Sequence, residues 1–199
     1  MIRQQLGAAP VLLALMLVCS GCIVGTSQPL YDSARDTVFD PKLVGTWGNS
    51  ECRMRIRAAP DKGYEVLEVL PGQAAAPQEA VRAELVPIGK YRYLFLKAPD
   101  SVGTLLWPCF RVSVGRGGLR MQSLNVVAME DYLTKHPEAL RHEMLRAEGP
   151  ATQPATQPAL MNFIITDSPA KVRAFIEAHQ DDADFVDEGM ILADLNPIT

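Results

Sequence analysis

Between Leu43 and Leu124 the chain is cut into short runs in which apolar and polar residues alternate, and that period of two constrains the fold more than any other feature. Alternation sends successive side chains to opposite faces, so each run reads as a strand with one dry and one wet side. The clearest is Cys52–Ala58, CRMRIRA, which sets Arg53, Arg55 and Arg57 against Met54 and Ile56. The tight-turn sequence PDKG at Pro60–Gly63 then returns the chain into Tyr64–Leu70, YEVLEVL, which predicts a hairpin.

The same pattern recurs on both sides. Leu43–Asn49 precedes that hairpin, and Pro71–Ala80 reads as loop. Val81–Ile88 turns at Gly89-Lys90 into Tyr91–Lys97, and Leu105–Val114 turns at GRGG into Leu119–Leu124. Met161–Thr166, MNFIIT, reads as a final strand. The predicted fold class is α+β: an antiparallel meander of about eight strands, either closed as a barrel or left as an open sheet, with helices late in the chain. Eight is the smallest strand number at which a barrel closes around a filled or small-ligand interior.

The period changes after Asn125. Val127–Lys135 and Pro137–Ala147 carry apolar residues at helical spacing, including Leu140, Met144 and Leu145. Asp167-Ser168-Pro169 is a helix start, a capping side chain followed by proline, and Val172, Phe175 and Ile176 form the apolar stripe of Pro169–Gln180. Between these, residues 150–159 repeat ATQP without a large apolar group and read as an exposed loop. The tail after Gln180, DDADFVDEGMILADLNPIT, reads as acidic and irregular.

At the other end, Arg3 is followed by the uncharged apolar run Val11–Val18 and the small residues Ser20 and Gly21. This is the order of a secretory signal, and the run is far shorter than the roughly 20 apolar residues a membrane-spanning helix needs. Cys19-Ser20-Gly21-Cys22 resembles the lipobox of bacterial lipoproteins, with Cys19 where Leu is usual. The resemblance implies cleavage before Cys22 and acyl chains, such as palmitate, on its sulfur; two or three chains anchor stably where one does not. Ile23 rather than Asp after the lipid site implies the periplasmic face of the outer membrane. The expected organisation is signal peptide 1–21, flexible tether 22–37, and a single β-rich domain 38–199 with C-terminal helices.

Loss of residues 1–21 removes Arg3 and no acid, taking the net charge from −4 to −5. An acidic chain has no electrostatic footprint for nucleic acid. Export also exposes Cys52 and Cys109 to oxidation. Cys52 alternates in phase with Met54 and Ile56, Cys109 with Arg111 and Ser113, which argues against a disulfide; Pro108 can bulge its strand and reset that phase, so pairing and two free thiols both stand.

Leu43-Val44-Gly45-Thr46-Trp47 resembles the opening strand of the lipocalin-like superfamily, whose Gly-x-Trp places an indole as the plug of a closed barrel end. The likeness implies that Trp47 is that plug. Gly48 stands where an aromatic is usual, and helices precede the last strand, both departures from the family pattern.

Catalytic arrangements are absent from the pattern. Glu138 and His142 are four residues apart but read, with Arg141 and Glu143, as a solvated helix face, and His179 near a helix C-terminus is explained by the negative end of the helix dipole. The cluster Asp181, Asp182, Asp184, Asp187 and Glu188 lacks the glycine and spacing of a calcium loop. No nucleophile elbow or phosphate-binding glycine loop is present. The expectation is a membrane-anchored, non-enzymatic lipoprotein of the bacterial cell envelope, without metal or cofactor. It would bind a small apolar ligand or lipid through Met54, Ile56, Val66, Tyr91, Tyr93 and Phe110. The alternative is an adaptor that docks an envelope protein through a sheet edge, its late helices or the Arg53–Arg55–Arg57 strip.

Overall fold

A computed structural model describes residues 23–49, 53–69, 80–99, 105–146, 161–186 and 190–194. In chain order its elements are β1 (Ile23–Thr26), β2 (Gly45–Gly48), β3 (Arg53–Ala58), β4 (Tyr64–Val69), β5 (Val81–Ile88), β6 (Tyr91–Pro99), β7 (Leu105–Gly115), β8 (Gly118–Ser123), α1 (Val126–Lys135), β9 (His142–Arg146), β10 (Met161–Ile165), α2 (Pro169–His179) and β11 (Met190–Asp194). From β2 to β8 each strand pairs antiparallel with the next, and β11 pairs with both β8 and β2. Eight strands therefore close into an antiparallel barrel, with two helices late in the chain.

Up-and-down connectivity gives the barrel two unlike ends. One end collects the short turns between β3 and β4, β5 and β6, and β7 and β8, together with the 3-10 turn Pro41–Leu43 that leads into β2. At the opposite end the connections run through residues 50–52, 70–79, 100–104 and 187–189, which lie outside the described residues. The β3–β4 turn holds Asp61 and Lys62 at φ +58° and +61°, the left-handed geometry that suits the right-handed twist of a tight hairpin. At the start of β8, Gly118 (φ +110°) lies so close to β11 that a Cβ would sit 2.2 Å from the Leu192 carbonyl oxygen.

Both faces of the barrel wall are used. Inside, Trp47, Met54, Ile56, Tyr64, Val66, Leu85, Leu94, Phe110, Leu119 and Leu192 belong to one apolar cluster. Outside, a second cluster forms where Val86, Ile88, Tyr93, Phe95 and Cys109 meet Val24, Leu30 and Tyr31, Met129 and Leu133 of α1, Phe163 and Ile165 of β10, and Val172 and Ile176 of α2. Strands β5, β6 and β7 are thus buried on both sides, while β3 alternates exposed and buried residues along Arg53–Arg57.

Three expectations are corrected. Residues 23–37 are not a free tether: β1 pairs antiparallel with β7 and parallel with β10, and Leu30 and Tyr31 are buried. Apolar side chains at Val24, Leu30 and Tyr31 outweigh the polar composition of that stretch, because the outer wall offers them a surface to cover. The expected helix Pro137–Ala147 is a turn followed by β9, which pairs with β10 across five residues, so long-range pairing overrides helical spacing. The barrel's eighth strand is β11, inside the acidic tail, and Met161–Ile165 instead lies in a side sheet with β1 and β9. Helix α1 and helix α2 form where expected, with Asn125 Oδ1 accepting from the Ala128 amide at 3.2 Å and Pro169 in the first turn of α2.

Candidate functional site

The closed end of the barrel is built from Trp47 outward. Its indole Nε1–H donates to the Leu43 carbonyl at 2.9 Å, which folds the ring back over the 3-10 turn, and Gly45 leaves just enough space for it, a Cβ there reaching the ring at 3.4 Å. Tyr64 completes the floor. Its hydroxyl accepts from the Asp40 amide at 2.7 Å, Phe39 stacks on its ring at 5.3 Å, and burial pushes the phenol up. An Asp40–Arg92 ion pair ties this floor to the start of β6.

Of the six residues expected to line one ligand site, four come together. Met54, Ile56, Val66 and Phe110 point into the barrel, and Tyr91 and Tyr93 point out of it, into the outer cluster. The side-chain period explains the split: Tyr91 and Tyr93 are out of phase with Leu94 and Leu96, which face inward on the same strand. Tyr91 donates to Asp181 at 3.0 Å with the Arg111 guanidinium 4.4 Å over its ring, and the Tyr93 hydroxyl is buried without a partner. Interior residues that alternation did not single out are Leu85, Leu94, Leu119 and Leu192; the first three were visible as phase-mates of their strands, the last was hidden by acidic neighbours.

Inside, packing is uneven. Tyr64, Leu85, Leu94, Leu119 and Leu192 are 0% exposed, so no water-sized void touches them, whereas Phe110, Val112 and Met121 retain 8%, 7% and 6%. The residual accessible apolar surface therefore gathers on β7 and β8.

Cys22 and Cys52 lie outside the described residues. Cys109 is a free, buried thiol, and burial pushes it up to about 12. It faces the outer cluster, whereas Met54 and Ile56, with which Cys52 alternates, face the lumen. Arg53, Arg55 and Arg57 are exposed in a row on the solvent side of β3.

The polar groups weighed for catalysis are spent on structure. Glu138 sits in a turn and His142 in β9 with its ring stacked on Phe163 at 4.7 Å, so they do not share a helix face. His179 contacts Asp182 at 2.7 Å, and Lys90 holds Asp181 at 2.7 Å. Among the described residues no three of His, Cys, Asp and Glu gather as a metal site, and no helix is long and apolar enough to cross a membrane. Compared with known proteins, the chain matches no family model, no curated protein and no solved structure.

Proposed function

We propose that this chain is a non-enzymatic lipoprotein of the bacterial envelope, held by acyl chains on Cys22, whose barrel takes a small apolar ligand or acyl group. The observation that carries the reading is the apolar cluster inside the barrel, whose accessible remainder lies at Phe110, Val112 and Met121 on β7 and β8. A ligand would enter at the end opposite Trp47. The lipobox-like Cys19–Cys22 supports the anchor, and β1 beginning at Ile23 agrees with it: a cut before Cys22 leaves every residue of that strand in the mature protein. With β1 following the lipid site directly, the barrel would ride close to the bilayer.

Native mass spectrometry of the purified chain, released from detergent, tests the ligand. A co-purifying lipid, or a mass shift with a fatty-acid panel that Phe110→Trp abolishes, is the expected result; an unliganded mass across the panel overturns it. Metabolic labelling with an alkyne fatty acid, lost in Cys22→Ala, tests the anchor separately.

A second reading rests on β3. Arg53, Arg55 and Arg57 point to solvent side by side and make no ion pair among the described residues, a contact strip for an acidic envelope partner. Cross-linking in the native membrane that yields a heterodimer from the wild type and none from a triple Arg→Glu variant would favour it; monomer alone would exclude it.

A further inference from the structure

The two ends of the barrel differ in charge as well as in closure. The tight connections at the Trp47 end carry Lys42, Lys62, Lys90 and Arg116, all exposed, against Asp40 and Asp61. The connections at the opposite end, residues 50–52, 70–79, 100–104 and 187–189, carry Glu51, Glu79, Asp100, Asp187 and Glu188 and neither lysine nor arginine. In a chain of net charge −4 the closed end therefore runs against the overall sign.

Pairing removes part of this charge and leaves a patch. Arg92 holds Asp40, and Asp181 holds the Lys90 ammonium at 2.7 Å. Lys42, Lys62 and Arg116 make no ion pair among the described residues. Residues 38–43 cross this end from the Val38 bridge with Leu85 to the start of β2, and Phe39 lies in that crossing. One face of its ring stacks on Tyr64 at 5.3 Å, yet the residue is 41% exposed. Beside it opens a hollow of about 440 Å³ lined by Lys42, Arg92, Val38 and Pro87, which offers a phosphate two cations and an apolar wall.

We propose that the closed end is the face on which this protein rests against a bilayer bearing anionic phospholipids, with Phe39 in the headgroup layer and Lys42, Lys62 and Arg116 on lipid phosphates. Aromatic rings partition to the membrane interface, and each cation near an anionic surface adds attraction. The acidic connections at the other end are repelled by the same surface, so charge alone orients the barrel. The course of β1 agrees. It runs antiparallel to β7, and β7 runs toward its turn at the closed end, so β1 starts on the nearer side and runs away from it. Acyl chains one residue before Ile23 would leave toward that end. The inference rests on the envelope reading above, which supplies the bilayer, and adds that the ligand mouth faces away from it.

The full chain carrying Phe39→Trp is added to phosphatidylcholine vesicles with brominated acyl chains, with and without phosphatidylglycerol. Wild-type protein supplies the emission of Trp47 and Trp107 as the baseline. Flotation with the neutral vesicles reads the anchor, and quenching of the introduced indole reads the face. The expected result is quenching that needs phosphatidylglycerol, fades with added salt, and is weakened about fivefold by each of Lys42→Gln and Arg116→Gln, the worth of one cation at an anionic surface. All three substitutions fall on exposed side chains and should leave the melting temperature unchanged. A chain that stays off the neutral vesicles yet is quenched in the anionic ones removes the acyl anchor and leaves this face standing. Equal quenching in both vesicles, or none with phosphatidylglycerol present, overturns the proposal; in the second case a cross-link from Lys42 to an acidic envelope protein names the occupant instead.

Discussion

The lumen core and the outer core are similar in apolar character and opposite in origin. The lumen is lined by alternate residues of strands that follow one another along the chain, such as Met54 and Ile56 across from Trp47 and Val66. The outer core gathers Val24, Leu30, Met129, Phe163, Val172 and Phe185, drawn from nearly the full length of the described chain, onto one side of the barrel. Local order builds the first and long-range closure the second. The strands between them show the difference in their own sequence. Strand β3, with one wet face, reads RMRIR; strand β6, buried on both, reads Tyr93-Leu94-Phe95-Leu96 without a break. Continuous apolar runs mark strands covered on both faces.

Truncation in either core should produce the largest effect and tests whether the two are thermodynamically one. Leu94 in the lumen and Phe163 outside are both 0% exposed, so Leu94→Ala should cost about 2–5 kcal/mol and Phe163→Ala about 3–5 kcal/mol. Because β5, β6 and β7 belong to both cores, urea transitions followed at Trp47 and at Trp107 should move together in each variant. Transitions that separate would divide the molecule into two independent units.

Closing the barrel sharpens the comparison from the lumen side. Gly118→Ala forces a methyl group into the Leu192 carbonyl at a left-handed φ, and should cost about 2–3 kcal/mol, read as a lower urea midpoint that Trp47 and Trp107 emission report alike.

Cys109 probes the outer core by pH. Its thiol keeps its proton up to about 12 in the native state and releases it near its ordinary 9.0 when unfolded, so the unfolded form holds fewer protons between those values and native stability falls as pH rises through that window. The stability gap between wild type and Cys109→Ala should shrink there by up to about 1.4 kcal/mol per pH unit. A gap that stays constant from pH 9 upward would mean that the thiol is not sealed under the helices.

The smallest effect lies at the closed end. Lys62 holds a left-handed φ that glycine adopts freely, so Lys62→Gly should stabilise the β3–β4 hairpin by about 1 kcal/mol, read as a higher urea midpoint with unchanged slope.

Much of the candidate site was legible and part was not, for the same reason. Alternation put Met54, Ile56, Val66 and Phe110 on one face because side-chain direction in a strand is a local property, and it placed Trp47 at the start of the first barrel strand. Tyr91 and Tyr93 looked equivalent to them by composition, but the phase of β6 relative to β5 turns them outward. The side sheet and the last barrel strand were missed because MILAD sits among acids and because β9 carries helical spacing; each finds its partner 15 or more residues away.

By itself, then, the amino-acid order determined where strands begin and turn, which side of each is apolar, and where helices α1 and α2 start, since these follow from backbone geometry and neighbours a few residues apart. Only the tertiary structure decided that β11 closes the barrel, that residues 23–37 cover its outer wall, and that Phe39, Lys42, Lys62 and Arg116 share one end of it. Those juxtapositions depend on which distant segment best buries an exposed apolar face, and a pattern with a period of two carries no record of that choice.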